Sequence, residues 1–159
     1  MAIGICPGDL APFRLAREEI QKDPERKKDE SDPDFAARVA AVSAHNERVR
    51  ALEASGKVTT WQLRCLSSRD QGKCIQAVDR LGIHEACFDI VRLGLAGWDR
   101  LEAKGKPILW QGGRAVVFGV TRDDILKDAV LDSITLKTCI ELALGVVALG
   151  VTEEELGNS

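Results

Sequence analysis

Apolar residues recur at helical spacing through residues 32–57, which predicts the clearest helix of the chain. Phe35, Val42 and Val49 repeat every seven residues, and alanine-rich flanks would allow another helix to approach this stripe closely. The opposite face is predicted to be polar, with Arg38, His45, Arg48 and Glu53. The residues suited to begin and end the helix are Asp32, Asp34 and Gly56. The stripe is either a seam with a second copy of the chain or the face that packs on its own domain.

Helical periodicity predicts four further helices, at residues 67–82, 83–105, 121–133 and 133–159. In the second of them, Gly94 and Gly97 each lower helix propensity by about 1 kcal/mol relative to alanine. We therefore expect close packing at these glycines or a helix end nearby. The last helix is apolar around so much of its circumference, with Leu136, Ile140, Ala143 and Val147 on one side, that it is predicted to be the core helix or an assembly surface.

Alternation with a period of two predicts a small β element, with strands near residues 12–18, 58–66 and 107–120. In the second strand, Trp61, Leu63 and Cys65 point to one side. A helical start is the rival interpretation of the first. The third is predicted to be an extended pair that turns at Gly112–Gly113.

Two of the three tryptophans flank a turn marked by Gly105 and Pro107. Trp98 is predicted to close a helix against the core. Trp110 is predicted to contact a partner, because tryptophan is over-represented among interface anchors. The alternative is that both tryptophans belong to the core.

These patterns predict an α+β, mostly helical fold with four to five helices and a small antiparallel β element, in a single domain over residues 1–159. The charged loop and helix of residues 19–57 are predicted to be an insertion between the first two strands. Within it, the run at 22–34 interleaves charges of both signs with two prolines, so we expect a solvated, mobile loop that buries nothing. Residues 152–159 are predicted to be a polar tail.

Composition narrows the classes of partner. The net charge of the 159 residues is -3, only 4% of them are aromatic, and there is no tyrosine. Nucleic-acid binding is therefore not expected, because it needs a basic surface or stacking platforms. No apolar run reaches the roughly 18 residues that cross a bilayer, so no membrane association is expected.

No pattern of catalytic or ligand-binding residues stands out. The five scattered cysteines are predicted to be buried and reduced: Cys6, Cys65, Cys74, Cys87 and Cys139. The alternative is a catalytic thiol beside His84. The chain carries no phosphate-binding loop, zinc-protease motif or nucleophile elbow, so we expect no enzyme, no cofactor and no metal.

The order of the later elements resembles small tail proteins of tailed bacteriophages, of the tail-assembly-chaperone type. The strand segment "WQLRCLSSRD" leads into a helix, "LGLAGWDRLEAKGKPILW" follows, and "VTRDDILKDAVLDSITLKTCIELALGVVAL" precedes the closing "VTEEELGNS". In that family a strand with an "fxLRpLtgre"-like pattern is followed by helices, a Gly-Trp at a helix end, a "dxxGxPvxf" turn and an "LTEEExxN"-like tail. The resemblance covers about residues 58–159. The helix at 34–55 and the segment "WQGGRAVVFGV" depart from it.

The resemblance implies a non-enzymatic protein that binds a tail partner such as the tape-measure protein in the host cytoplasm, with self-association as a further expectation. A structural virion component present in many copies is the alternative, and a small regulatory or anti-defence protein that binds a host factor is the second. The residues predicted to bind the partner are Trp110, Trp98, Phe35, Val42 and Val49.

Overall fold

The computed structural model describes residues 8–149, and it confirms the α+β fold with five helices and small antiparallel sheets in that range. The strands are β1 (Leu10–Phe13), β2 (Thr60–Arg64), β3 (Leu95–Asp99), β4 (Glu102–Ala103), β5 (Lys106–Pro107), β6 (Gly112–Val117) and β7 (Val120–Leu126). The helices are α1 (Asp32–Ala54), α2 (Ser68–Leu81), α3 (Ile83–Gly94), α4 (Asp128–Leu131) and α5 (Leu136–Ala148), with a 3-10 turn at Ala16–Glu18. The predicted polar tail at 152–159 and Cys6 lie outside the described residues.

The chain divides into two compact units. One, called the α1 unit here, is Arg14–Thr59. The other, called the body, comprises the described residues on either side, 8–13 and 60–149. The single domain and the insertion at 19–57 stay predictions.

The body is built on an antiparallel sheet in the order β1-β2-β3. Phe13 pairs with Trp61, and Trp61 pairs with Trp98 on the other side. The alternation predicted for the second strand is confirmed, because Trp61 and Leu63 are each only 1% exposed. Cys65 is buried as well, just beyond the end of β2.

Helices α3 and α5 pack together and supply much of the core of the body. Glycine allows them to approach closely at one point, since a Cβ on Gly94 would lie 2.5 Å from the side chain of Val146. Gly97 has no atom within 4 Å of such a Cβ. Of the two expected reasons for these glycines, close packing therefore holds at Gly94, and a helix end nearby holds for both, since α3 ends at Gly94.

The helix predicted over 83–105 is too long. It ends at Gly94, and residues 95–99 continue as β3, paired with β2. The open hydrogen-bonding edge of β2 and the helix-weakening glycines together favour strand here.

The hairpin of the third predicted strand turns at another place. β6 and β7 are joined by Phe118–Gly119, not by Gly112–Gly113. Both turn residues have positive φ, 51° and 76°, which is the pattern of a tight hairpin turn. The helix predicted over 121–133 is accordingly wrong, because the first half of that segment is β7 and only Asp128–Leu131 is helical.

Polar side chains of α1 hold the charged segment that precedes it. The amide of Asn46 pairs with the backbone of Gln21, through Gln21 N to Oδ1 at 2.9 Å and Nδ2 to Gln21 O at 3.1 Å. Arg38 donates to both carboxylate oxygens of Glu30, whose side chain is only 8% exposed. The expectation that this segment buries nothing is therefore wrong.

The polar face predicted for α1 is also only partly right. Arg38 and His45 are half-buried, and Nε2 of His45 lies 2.8 Å from the carbonyl oxygen of Glu19. Arg48 and Glu53 are exposed as predicted. Ser31, rather than an aspartate, caps the helix by accepting from Asp34 N, and Gly56 with φ of 70° follows its end.

The face of α5 that enters the core differs from the predicted one. Cys139, Leu142, Ala143 and Val146 are fully buried. Leu136 and Leu144 are 44% and 53% exposed. The predicted core side is therefore only partly right, because its Ala143 is fully buried, its Ile140 and Val147 are half-buried, and its Leu136 is exposed.

Candidate interaction surface

The three tryptophans form one cluster in the body. Trp98 lies between the other two, with its ring centroid 5.8 Å from that of Trp61 and 5.2 Å from that of Trp110. Both contacts are edge to face, an arrangement worth about 0.5–1.5 kcal/mol beyond area burial. Trp61 is buried, whereas Trp98 and Trp110 are half-buried. The cluster joins the central sheet to the loop before β6.

Hydrogen bonds fix that loop at both ends. Nε1 of Trp98 donates to the carbonyl of Ile108 at 2.8 Å, and the Ile108 amide donates to Leu101 O at 2.7 Å. At the other end, Lys127 N donates to Gln111 O at 2.9 Å. Residues 108–111 therefore have a defined conformation without belonging to a sheet.

Leu109 projects from this fixed loop into solvent. Its exposed fraction of 71% is the largest of any large hydrophobic residue in the part of the chain that the structure describes. Its neighbour Trp110 is turned inward, with Nε1 so close to Gly112 that a Cβ there would lie 2.9 Å away. The sequence analysis missed Leu109. The available signal was alternation, since in an extended segment the side chain of Leu109 points away from those of Ile108 and Trp110.

The residues predicted to bind a partner lie in both units. Trp98 and Trp110 belong to the cluster just described. In the α1 unit, Phe35 and Val42 are half-buried, and the guanidinium of Arg26 lies 5.9 Å from the Phe35 ring centroid. Val49 is 0% exposed. The predicted binding role of these five residues stays a prediction, and Val49 offers no open surface.

An ion pair ties the β6–β7 hairpin to the central sheet. Arg64 binds the carboxylate of Asp124 through both terminal nitrogens. The Arg64 side chain is 10% exposed and the Asp124 side chain 53%. Hydrogen bonding from Arg64 lowers the pKa of Asp124 below its usual value. Because the Arg64 end is buried, this pair is typical of a structural contact, and we call it the clamp.

The thiols are held in their neutral form. Burial raises the pKa of Cys74 to about 11 and that of Cys139 to about 12. Burial also raises the pKa of Cys87, whose Sγ donates to the main-chain carbonyl of His84 at 3.4 Å. Cys65, Cys74, Cys87 and Cys139 are free and buried, which confirms the buried, reduced cysteines for these four. A neutral, buried thiol is a poor nucleophile.

Between residues 8 and 149, no three His, Cys, Asp or Glu side chains are grouped so that they could hold a metal ion. In the same range, no helix is both long enough and apolar enough to cross a membrane.

In comparisons with known proteins, no family model, no curated protein and no solved structure matches this chain.

Proposed function

We propose that this chain is a non-enzymatic bacteriophage tail assembly protein that binds an aggregation-prone tail partner, such as the tape-measure protein, in the host cytoplasm. The resemblance of residues 58–159 to tail-assembly chaperones supports the proposal. So do polar side chains that are engaged in structural contacts, such as Asn46 with Gln21 and Arg64 with Asp124, together with thiols whose pKa values are raised by burial.

The observation that carries the proposal is that Leu109 is exposed to solvent on a fixed loop. A chaperone for a long apolar helix needs an exposed hydrophobic side chain that is fixed before binding, because a fixed side chain loses less conformational entropy on binding. Leu109 is 71% exposed and stands on a loop fixed by Trp98 and Lys127. In this proposal the tryptophans position the contact residue, and Leu109 makes the contact.

The test is co-expression of the chain with the tape-measure protein encoded by the same phage genome. We expect the chain to keep the tape-measure protein in the soluble fraction and Leu109→Ser to abolish this, with a loss of affinity of at least about thirtyfold, as for an interface hot spot. Leu81→Ser is the matched control, since Leu81 is also an exposed leucine, 39% accessible at the end of α2. Equal solubilisation by the Leu109 variant, or equal loss in the control, would contradict the role of Leu109.

A second measurement, mass spectrometry of purified particles, separates the alternatives. An assembly chaperone is absent from purified particles, whereas a structural virion component is found there in many copies by mass spectrometry. A chain that leaves the tape-measure protein insoluble and is absent from particles would instead favour a regulatory protein that binds a host factor. If the chain binds no tail protein, the proposal is wrong.

A further inference from the structure

A row of four polar side chains, three of them cations, follows one face of α2. Arg69, Lys73, Gln76 and Arg80 are spaced by four, three and four residues, so their side chains lie on the same side of the helix over about 16 Å. Within the described residues, Arg69 and Arg80 form no ion pair, and Lys73 has only a long one, 4.0 Å from Asp70. The positive charge of this row is therefore largely uncompensated.

A depression of about 390 Å³ lies along the row. Lys73, Gln76, Ala77 and Arg80 line it on the side of α2, and Phe118 lines it from the tip of the β6–β7 hairpin. The depression thus combines two cations about 10 Å apart along the helix axis, one amide and one aromatic ring.

Phe118 is an unfavourable residue for its backbone position. Its φ of 51° is in the left-handed region, which a bulky residue rarely adopts. The turn Phe118–Gly119 has positive φ at both residues, and Asn-Gly is the favoured sequence for such a turn. A phenylalanine here costs turn stability, and the same residue lines the depression.

We infer that this depression binds an acidic peptide segment with an apolar side chain between its carboxylates. The carboxylates pair with Lys73 and Arg80, the latter able to bind in a bidentate manner. The apolar side chain packs between Ala77 and the Phe118 ring. The inference goes beyond the proposed function, because it concerns another surface and does not require a tail protein as the partner.

A peptide fits this surface better than a nucleic acid does. Strong binding to a nucleic-acid backbone rests on many phosphate contacts, and this row supplies three cations on a chain whose net charge is -3. Lys73 and Arg80 lie on either side of Ala77 along the helix. Their spacing matches that of carboxylates placed about three residues apart on an extended segment.

The test measures the fluorescence anisotropy of a fluorescein-labelled peptide of Glu-Glu-Leu repeats mixed with the full chain at low ionic strength. We expect saturable binding, weakened at least about tenfold in the double variant Lys73→Gln, Arg80→Gln. The matched control is Lys106→Gln, Lys137→Gln, which removes the same charge from exposed positions elsewhere in the body and leaves the affinity within about twofold. A Gln-Gln-Leu peptide is expected not to bind.

A second variant separates binding from folding. Phe118→Asn places Asn-Gly in the turn, so we expect a higher Tm together with weaker peptide binding. A lower Tm with unchanged binding would show that Phe118 serves packing only and would overturn its role. The inference fails if the peptide does not bind, if both double variants lose affinity equally, or if single-stranded oligothymidylate binds more tightly than the peptide.

Discussion

The indoles of Trp98 and Trp110 form an edge-to-face contact with ring centroids 5.2 Å apart, and Nε1 of Trp98 donates to the carbonyl of Ile108, two positions before Trp110. The Trp98 side chain therefore packs against Trp110 and hydrogen-bonds the backbone of Ile108, both in the loop of residues 108–111. Trp98 fixes the segment from which Leu109 projects.

Replacing Trp98 with phenylalanine is expected to destabilise the chain. The ring contact survives in part, but the Ile108 carbonyl loses its donor, which costs about 1–2 kcal/mol. Trp110→Phe is the control, since the Trp110 indole forms no hydrogen bond with any residue that the structure describes. Urea denaturation should rank Trp98→Phe below Trp110→Phe in the free energy of unfolding, and the reverse order would contradict the role of the bond.

Gly94→Ala is expected to overpack the contact between α3 and α5. The new Cβ would lie 2.5 Å from two methyl carbons of Val146, and overpacking of this kind costs about 1–3 kcal/mol. Gly97→Ala is the matched control, with nothing within 4 Å of its Cβ and no positive φ. Thermal denaturation should show a lower Tm for Gly94→Ala alone, and the additional change Val146→Ala should recover much of it.

Removal of the Asp124 carboxylate is expected to weaken the clamp on Arg64. Asp124→Asn leaves a buried guanidinium with a poorer acceptor, at a cost of about 1 kcal/mol, because the exposed aspartate is screened by solvent. Asp123→Asn is the control, since Asp123 is 86% exposed and 3.9 Å from Arg114.

The effect of Asp124→Asn should depend on pH in a definite direction. The pKa of Asp124 is lowered in the folded state, so its contribution is present above the unfolded pKa of about 3.9 and is lost as the pH falls through the folded value. The difference in unfolding free energy between wild type and variant should therefore be constant near neutral pH and vanish in acid. A difference that grows in acid would refute the assignment.

Loss of the Asn46 amide is expected to release the segment that precedes α1. Asn46→Ala removes two hydrogen bonds to Gln21, about 1 kcal/mol each, and local opening should become more frequent. Limited trypsin digestion should cleave after Lys22 faster in the variant. Ser43→Ala, an exposed change on the same helix, should leave the rate unaltered.

The buried thiols are expected to be inert in the folded chain. With the pKa of Cys74 at about 11 and that of Cys139 at about 12, the thiolate fraction at pH 8 is on the order of one in a thousand or less. In a Cys6→Ser variant, iodoacetamide should label the other cysteines only on unfolding. Rapid labelling of one thiol in the native chain would revive the thiol-enzyme alternative.

Local sequence patterns predicted the elements whose signals do not depend on distant partners. The alternation of Trp61 and Leu63 identified β2, and Ser67 and Gly82 bound α2 as expected. These signals act within a few residues, through side-chain direction, capping and the left-handed glycine.

The missed elements depend on contacts far apart in sequence. The segment Leu95–Asp99 continues a helical pattern and becomes strand because β2 offers it an edge. β7 contains Asp123 and Asp124, poor strand formers, yet it is held by pairing with β6 and by Arg64. Leu109 was missed for a related reason, since its loop is fixed by hydrogen bonds from distant residues, Trp98 to Ile108 and Lys127 to Gln111.

The register of β1 and β2 has a further consequence. Phe13 and Trp61 are direct cross-strand partners, so the chain leaves the body and returns to it at adjacent points of one antiparallel ladder. Strands that end side by side in this way can be joined by a turn of two residues. No pairing of the central sheet involves Arg14–Thr59, so we expect a chain in which a short hairpin replaces that segment to retain the β1-β2-β3 sheet.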